Sequence, residues 1–325
     1  MKVLVTGGAG YIGSHMVYIL VDNDIEVIVL DNISTGNKTL LPENVKLFEM
    51  NVGDGQSITE LLKKENISTV IHFAADVSVD ESVKNPLKYY LNNTSNTTKF
   101  FKSCVDAGVK NIIFSSTAAV YGASKEKILS EMVSTKPISA YGSSKLFSEK
   151  ILIDTCETQK LNYVIFRYFN VAGSDPKRRT GQVMKNATHL IKVACETALG
   201  KRRKMQIFGN DYDTKDGTCI RDYIHVWDLV SAHLKALEHL ENGGSSKTLN
   251  CGYGKGFSVL EVVNEIKKVS GIDFSIEITN RRMGDPAKII ADNSRILKEL
   301  NWLPKYNNLE KIVIDTLEWE KKLST

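Results

Sequence analysis

Long apolar runs are missing from this sequence, which argues against a membrane protein. No stretch of its 325 residues approaches the roughly 20 apolar residues that a helix needs to cross a bilayer. The first residues carry a single charge before a short apolar stretch that glycines interrupt, and this stretch is shorter than the apolar region of a signal peptide. We therefore expect a cytoplasmic protein without a membrane partner.

Cysteine is scarce, and neither sign of charge is in large excess. The five cysteines, at positions 104, 156, 195, 219 and 251, form no CxxC pair and have no histidine pair nearby at zinc-ligand spacing. We expect reduced thiols and no metal site. The formal net charge is only +4, and the densest basic cluster, Lys201 to Lys204, is short. This pattern favours a solvated turn over a nucleic-acid-binding patch.

Internal repeats and low-complexity tracts are also missing, which leaves an ordinary globular protein. The hydrophobic fraction of 42% and the charged fraction of 25% are typical of that class. The chain is longer than a single hydrophobic core supports, so we expect two lobes. A cleft between lobes is a common place for a small-molecule site.

Short apolar, β-branched segments alternate with amphipathic segments in the first half of the chain. The predicted strands are Lys2 to Thr6, Glu26 to Leu30, Val45 to Glu49, Thr69 to Ala74, Asn111 to Ser115 and Tyr163 to Tyr168. The predicted helices cover residues 13 to 22, 57 to 65, 86 to 107 and 140 to 159. This alternation predicts an α/β fold with a Rossmann-type, doubly wound parallel sheet.

The pattern loosens after Phe169, which indicates the start of a second lobe. A helix around Thr188 to Leu199, a strand at Met205 to Phe208 and a polar loop at Asn210 to Thr218 follow. Regular patterning returns over residues 222 to 254. We predict a large domain of residues 1–169 with about 222–254 returning to it, and a smaller α/β substrate-binding lobe of roughly 170–221 and 255–325.

A glycine-rich turn, Thr6 to Gly13, directly follows the first predicted strand and precedes a helix. Its glycines permit a tight turn and let the backbone approach a pyrophosphate, which the N-terminal dipole of the helix stabilises. Asp31 closes the second strand, 18 residues after Gly13. A carboxylate there binds ribose hydroxyls and repels a 2′-phosphate, and residues 32 to 36 contain no arginine. The sequence predicts that the large domain binds NAD rather than NADP.

A second motif combines Ser115-Ser116-Thr117, at the end of the fifth strand, with Tyr141 and Lys145, which start 24 residues after Thr117. Residues i and i+4 share a helix face, so we expect Lys145 beside Tyr141. An ammonium ion there would lower the pKa of Tyr141 from about 10 and make it a usable base. Strand ends of such a sheet face the cofactor crevice. Tyr141, Lys145 and Thr117 are therefore the predicted catalytic residues, with Thr117 hydrogen-bonding the same substrate hydroxyl.

These two motifs resemble the TGxxGxxG turn and the YxxxK pair of the extended short-chain dehydrogenase/reductase superfamily. Within it, the chain resembles the UDP-glucose 4-epimerase family over nearly its whole length. Further matching segments are residues 73–75, 167–170, 207–212, 221–226 and 282–285. The resemblance implies a homodimeric NAD-dependent isomerase that interconverts UDP-glucose and UDP-galactose. It further implies that Tyr141 takes the O4 proton, that a bound 4-keto sugar swings about its bond to the diphosphate, and that NAD stays bound.

The resemblance also assigns binding residues in both lobes. The implied cofactor-binding residues are Gly7, Gly10, Tyr11, Ile12, Gly13, Asp31, Asn32, Asn51, Val52, Phe73, Ala74, Ala75, Asn92, Ser115, Tyr141, Lys145 and Tyr168. The implied UDP-sugar-binding residues are Thr117, Tyr141, Asn170, His189, Leu190, Gln206, Phe208, Arg221, Arg282, Asp285 and Ile289. Guanidinium groups match phosphate geometry, which suits Arg221 and Arg282 to the diphosphate.

The chain departs from the family pattern at several positions. Val77 stands where many members carry a lysine that reaches the nicotinamide ribose, and His189 stands where an asparagine often lies. Asn51 and Thr117 replace aspartate and serine and keep hydrogen-bonding capacity. Ile289 replaces a bulky tyrosine that excludes an N-acetyl group at C2, so we expect turnover of UDP-N-acetylglucosamine too. The alternative is that Ile289 and Ile290 are simply strand core.

Other functions share some of these motifs. The alternatives within the class are a 4-epimerase acting mainly on UDP-N-acetylglucosamine and a nucleotide-sugar dehydratase or decarboxylase. A dehydratase needs an acid and a base beside the threonine, where Ala118 and Ala119 stand instead. A non-catalytic NAD-sensing protein is an alternative from a different class, which the intact Tyr141 and Lys145 disfavour.

Overall fold

The computed structural model describes residues 1–184, 187–282 and 285–324. Its strands are β1 (Lys2–Thr6), β2 (Glu26–Asp31), β3 (Lys46–Glu49), β4 (Thr69–His72), β5 (Asn111–Thr117), β6 (Asn162–Tyr168), β7 (Asn170–Ala172), β8 (Met205–Phe208), β9 (Ile220–His225), β10 (Lys247–Cys251), β11 (Gly256–Ser258), β12 (Ile276–Thr279) and β13 (Lys288–Ile289). Its α-helices are α1 (Tyr11–Val21), α2 (Gly55–Lys64), α3 (Val79–Lys84), α4 (Pro86–Tyr89), α5 (Thr97–Ala107), α6 (Ala140–Thr158), α7 (Leu190–Ala198), α8 (Val226–Glu241), α9 (Val259–Ser270), α10 (Ser294–Glu299) and α11 (Leu309–Lys322). No helix in the described ranges combines the length and apolar character that crossing a membrane requires.

Parallel strands form the large sheet, in the order β3-β2-β1-β4-β5-β6-β10. The strand order reverses between β1 and β4, and sheets of this kind bind ligands at such a switch point. Alternate residues of the central strands face opposite layers: Val3 and Val5 pack in one buried cluster, Leu4 and Ile28 in the other. Burial on both faces explains the continuous apolar runs. The predicted Rossmann-type α/β fold is confirmed.

The second part of the structure is built from short strands and three packed helices. Strands β11, β9 and β13 form a small sheet, in which β7 also pairs with β9, while β8 pairs with β12. Helices α7, α9 and α11 share an apolar core that includes Ile191, Val263 and Ile312. In contrast, β10 joins the large sheet and α8 packs on α1. The proposed boundaries of the two functional domains stay a prediction.

The predicted helix over residues 86–107 is interrupted in the structure. A π-helical segment, Tyr90–Asn96, lies between α4 and α5. Within it, the Asn93 side chain accepts from the Asp76 amide at 2.8 Å and donates to the Asp76 carbonyl at 2.9 Å. Polar side chains that bond to backbone compete with the regular helix pattern, and π-helical turns often mark functional sites. The predicted boundary at residue 74 is also wrong, because β4 ends at His72.

Candidate active site

The glycine-rich turn joins β1 to α1 in a conformation that glycine alone accommodates well. Gly7 has a φ of +67°, and a Cβ there would lie 2.7 Å from the Ala74 nitrogen. A Cβ on Gly13 would overlap the Gly7 carbonyl oxygen, and one on Gly10 would lie 3.1 Å from that oxygen. Backbone is therefore left bare at the N-terminus of α1, where the helix dipole stabilises a phosphate. Ile12, in the first turn of α1, packs against the core.

Asp31 ends β2 and supports this turn. Its carboxylate accepts from the backbone amides of Ala9 at 3.0 Å and Ile33 at 2.8 Å. Burial raises the pKa of Asp31, and the two backbone hydrogen bonds act in the opposite direction. A bare glycine turn, a helix N-terminus and a carboxylate at the end of β2 are the features a dinucleotide requires. The residues present therefore fit NAD.

The remaining predicted cofactor residues lie along the same edge of the sheet. Asn32 is exposed and accepts from Ser34, while Asn51 follows β3 and accepts from the Gly53 amide at 2.8 Å. Val52, also after β3, is buried, and Ala75 lies in the loop after β4. All of them follow a strand's carboxyl end, which is where the crevice of such a sheet opens.

The loop after β4 is held from two sides. The Phe73 ring lies 5.0 Å from the His233 ring on α8, and the Ala74 amide lies 3.5 Å from the Thr6 hydroxyl. Asn92, in the π-helical segment, donates to the Asp76 carboxylate at 3.0 Å. These contacts anchor the loop between the glycine turn and the helical segment that precedes α5.

Tyr141 and Thr117 come together at the end of β5. Thr117 is the last residue of β5, and Tyr141 lies in the first turn of α6, where the Ser139 hydroxyl caps the helix by accepting from the Gly142 amide. Both side chains are more than nine-tenths buried, and the Thr117 hydroxyl interacts with the Tyr141 phenol. Tyr168 pairs with Thr117 across the sheet. The two predicted hydroxyl residues therefore lie at the same edge of the sheet, and their catalytic role stays a prediction.

The expectation that Lys145 lowers the pKa of Tyr141 stays a prediction, because burial has the largest effect on that pKa in this structure. Burial raises the pKa of Tyr141, and the hydrogen bond with Thr117 only partly opposes that shift. The Lys145 ammonium lies 4.7 Å from the centre of the Phe114 ring. Burial lowers the pKa of Lys145 to about 7, against the attraction of Glu149. Residue spacing predicts which side chains share a helix face. It does not predict how much burial disfavours the charged form of each side chain, which here dominates both pKa values.

Five residues predicted to bind the nucleotide sugar lie on the strands of the second part of the structure or on the chain between them. Arg221, on β9, forms an ion pair with Asp285. Ile289, on β13, is the register partner of Arg221. The Arg282 guanidinium lies 4.0 Å from the centre of the Phe208 ring, which is a cation–π distance. Two guanidinium groups, an apolar ring and a carboxylate therefore lie together, as a nucleoside diphosphate requires.

A pocket connects this lobe to the glycine turn. Its lining includes Tyr11, Asn170, His189 and Leu190. The Tyr11 hydroxyl donates to the Gly173 carbonyl at 2.6 Å, which joins α1 to the chain after β7. His189 precedes the first residue of α7, so the backbone amides at that helix N-terminus lie beside the pocket.

Gln206 lies outside this pocket. Its exposed side chain, on β8, donates to the Glu277 carboxylate of β12 at 2.9 Å. The lining likewise lacks Thr117, Tyr141, Phe208, Arg221, Arg282, Asp285 and Ile289, so the role of Gln206 stays a prediction.

Sequence reasoning missed the polar residues behind the catalytic helix. Glu149 and Arg167 form a buried ion pair, and Ser116 also donates to Glu149. The signal was present, because Glu149 follows Lys145 by four residues and so continues the face that Tyr141 and Lys145 share. Asn93 had no such signal, because the π-helical turn that aims it cannot be read from residue spacing.

Comparisons with known proteins point to one family. The model of the NAD dependent epimerase/dehydratase family matches residues 3–252. A UDP-glucose 4-epimerase of Azospirillum brasilense is 48% identical over 322 residues, which cover 99% of this chain and 92% of that protein. The structure of the UDP-Glc/GlcNAc 4-epimerase of Campylobacter jejuni is 48% identical, with a TM-score of 0.86 and coverage of 99% of both chains. A UDP-glucose 4-epimerase structure from Stenotrophomonas maltophila, with bound NAD and formylated UDP-arabinopyranose, is 36% identical, with a TM-score of 0.96 and coverage of 100% of this chain and 99% of that one.

Fold and site together define an NAD-dependent enzyme that acts on nucleotide sugars. The chain belongs to the NAD dependent epimerase/dehydratase family. The resemblance inferred from the sequence, the NAD dependence and the epimerase class are thereby confirmed. The roles assigned to individual side chains stay predictions.

Proposed function

We propose that this enzyme interconverts UDP-glucose and UDP-galactose by inverting the hydroxyl group at C4 of the hexose. The observation that carries the proposal is that Thr117, the last residue of β5, and Tyr141, in the first turn of α6, are both buried and that Thr117 influences the Tyr141 phenol. The glycine turn follows β1 on the same edge, and the two guanidinium groups of the second lobe suit a diphosphate. Relatives up to 48% identical over the full chain bear the name UDP-glucose 4-epimerase.

The side chains of the site divide the chemistry among them. Bound NAD supplies reversible hydride transfer at C4. Tyr141 takes the proton from the O4 hydroxyl and later returns one to the 4-keto sugar, while Thr117 holds that oxygen by a hydrogen bond. Lys145, as an ammonium ion, stabilises the Tyr141 phenolate. The net redox change is zero, so the cofactor stays bound through turnover.

Inversion requires the keto sugar to present its opposite face while the nucleotide stays held. Arg221 and Arg282 hold the diphosphate about which the sugar turns, because guanidinium groups bind phosphate oxygens in a fixed geometry. The Arg221–Asp285 ion pair keeps both side chains in place before substrate arrives, and Asp285 then accepts from a ribose hydroxyl. Asn170 and the amide of Leu190 bind near the diphosphate, and Phe208 lies beside the uracil.

The proposal is tested by incubating the purified protein with UDP-galactose and no added cofactor, then separating the products. UDP-glucose should form, and denaturation of the same sample should release NAD or NADH in equal number to the chains. A folded, NAD-loaded protein that forms no UDP-glucose would refute the proposed reaction. Release of NADP instead would refute the role of Asp31 in choosing the cofactor.

A second activity, on UDP-N-acetylglucosamine, is favoured by the wall of the hexose site. Ile289 packs partly buried against the cluster that contains Val120 and Phe169, together with Ala118, which follows Thr117. Isoleucine is smaller than the tyrosine that closes this wall elsewhere in the family, and it leaves room for an acetamido group at C2. We therefore include both UDP-hexose classes among the proposed substrates.

The enzyme is also proposed to act as a homodimer in the cytoplasm. Large apolar side chains are exposed on neighbouring elements: Val83 on α3, Leu87 on α4, Leu91 in the π-helical segment and Phe147 on α6. An apolar patch of this kind is typical of a protein interface, and a second copy of the chain covers it symmetrically. The free thiols of all five cysteines suit a reducing compartment.

A further inference from the structure

A buried ion pair lies directly behind the catalytic helix. Glu149, on α6, and Arg167, on β6, are each at least nine-tenths buried. Arg167 Nη2 donates to Glu149 Oε2 at 2.7 Å, and Arg167 Nε donates to the two carboxylate oxygens at 3.1 and 3.2 Å. The Ser116 hydroxyl, from β5, donates to Oε1. The carboxylate is thus held by groups from two adjacent strands.

Glu149 also continues the catalytic face of α6. Tyr141, Lys145 and Glu149 follow one another at intervals of four residues, so each lies about one helical turn from the next. Lys145 is 3% exposed, and its attraction to Glu149 raises its pKa against the larger effect of burial. Burial disfavours a charged amine, and a carboxylate one turn away favours it.

The other titratable groups around Lys145 do not supply a negative charge. His72, on β4, is kept neutral, because burial and then the Lys145 charge lower its pKa to about 3. Burial raises the pKa of Tyr141, of Tyr168 on β6, and of Tyr89, whose ring packs edge-on against that of Tyr141. Among these described neighbours, Glu149 carries the negative charge.

Arg167 makes this arrangement directional. Its guanidinium is also anchored by the Tyr121 hydroxyl at 3.3 Å and by the Tyr121 ring, 5.2 Å from the guanidinium carbon to the ring centre. The Tyr121 hydroxyl in turn donates to Asn250 at 2.7 Å. The ion pair therefore acts as a fixed dipole whose negative end lies on the helix of Lys145.

We propose that Glu149, held by Arg167 and Ser116, is a positioning residue that keeps Lys145 as an ammonium ion beside the catalytic tyrosine. The inference rests on the proposed function, in which that ammonium stabilises the Tyr141 phenolate. A purely structural link between α6 and β6 would require the same contacts. It would not, however, make the pKa of Lys145 move in opposite directions when the negative charge of Glu149 or the positive charge of Arg167 is removed.

Two single variants make opposite predictions for Lys145. Glu149→Gln keeps the shape but leaves the Arg167 charge, so the pKa of Lys145 should fall by about one unit or more. Arg167→Met leaves the Glu149 charge, so the pKa of Lys145 should rise. The measurement is carbon-13 NMR titration of the lysine Cε resonances in the NAD-loaded protein, with the Lys145 signal assigned by its loss in Lys145→Met. Either variant alone carries the test if the other does not fold.

Turnover gives the second readout. In Glu149→Gln, the alkaline limb of the kcat–pH profile should move to lower pH, and kcat above pH 7 should fall by about tenfold for each unit of pKa change, with KM for UDP-galactose within about twofold. The control is Asp228→Asn on α8, a buried carboxylate that accepts from Tyr253 and the amides of Lys305 and Tyr306. It should leave both the Lys145 titration and the pH profile unchanged.

The outcomes separate this inference from the proposed function. An active parent whose Lys145 titration is the same in Glu149→Gln, or shifts the same way in both variants, would overturn the inference. A parent that does not convert UDP-galactose would overturn the proposed function, while the titration would still report whether Glu149 holds the Lys145 charge. Opposite shifts in the two variants, with the predicted change in kcat, would support the inference.

Discussion

Tyr141 and Thr117 are the two hydroxyl groups on which the proposed chemistry depends. Their meeting could be predicted from sequence, because a strand end and the first turn of the next helix lie at one edge of a parallel sheet. The pKa of Tyr141 could not, because burial, a property of the whole packing, outweighs the neighbours that spacing identifies. The ion pair of Glu149 was missed for a related reason: Glu149 lies on α6, whereas its partner Arg167 lies on β6.

Removing the Tyr141 hydroxyl should abolish most of the activity. Tyr141→Phe should lower kcat by about 10² or more, the usual contribution of general acid–base catalysis, and should leave NAD bound. The matched control is Tyr163→Phe. It removes a hydroxyl near the start of β6, whereas the proposed site lies at the carboxyl end of that strand, so the variant should keep parental activity. Steady-state kinetics and cofactor content measure both. Activity of Tyr141→Phe within threefold of the parent would exclude it as the base.

Helix α6 and the segment before α5 show how far elements could be predicted. Helix α6 spans 140–158, within one residue of the prediction, because Ser139 supplies a clear N-cap. The predicted helix 86–107 is interrupted by the π-helical segment, in which the Asn93 side chain hydrogen-bonds to the backbone of the loop after β4. Residue spacing reports a helix face, but it does not report a tertiary hydrogen bond that redirects the backbone.

The contact between the glycine turn and α1 gives a prediction for stability and cofactor binding. Gly13→Ala places a Cβ against the Gly7 carbonyl, so it should lower the free energy of unfolding by about 1–3 kcal/mol and reduce bound NAD. Gly244→Ala is the control, because the three atoms nearest to its Cβ belong to the His239 ring, a side chain that can move aside, and it should change stability by less than about 0.5 kcal/mol. Denaturant unfolding and cofactor content test both variants. Full NAD content in Gly13→Ala would show that the turn tolerates a side chain.

Strand β13 places Ile289 on the proposed hexose wall. Ile289→Tyr should remove activity on UDP-N-acetylglucosamine and keep activity on UDP-glucose, because the ring occupies the space of the acetamido group. Ile278→Tyr adds the same ring on the exposed side of β12 and should keep both activities. The ratio of kcat/KM for the two substrates is the measurement. A parent that ignores UDP-N-acetylglucosamine, or an Ile289→Tyr variant with both activities, would place selection elsewhere.

The molecule as a whole divides its work between a sheet that holds the cofactor and small sheets that hold the nucleotide. The sequence predicted the sheet well, because buried parallel strands are continuous apolar runs. It predicted Arg221, Arg282 and Asp285 only through family resemblance. Arg221 lies on β9 and the other two lie before β13, so residue spacing does not reveal that they meet. The role of Gln206 rests on the same resemblance and stays a prediction, while its side chain donates to Glu277 in this structure.

The exposed apolar patch on α3, α4, the π-helical segment and α6 gives a prediction for the assembly. Sedimentation velocity should give the parent twice the mass of one chain, and Leu87→Glu should shift it toward a single chain, because a charge is costly inside an apolar interface. Leu303→Glu alters a similarly exposed leucine elsewhere and should stay dimeric. A parent that sediments as a single chain at all concentrations would contradict the proposed dimer.

The central claim is that hydrogen at C4 leaves and returns inside one active site while Tyr141 moves only the O4 proton. The most direct measurement is turnover of UDP-galactose that carries deuterium at C4, in ordinary water, with the product analysed by NMR and mass spectrometry. The account predicts UDP-glucose that keeps its deuterium at C4, formed without added NAD. UDP-glucose with ordinary hydrogen at C4 would show exchange with solvent and would contradict the account.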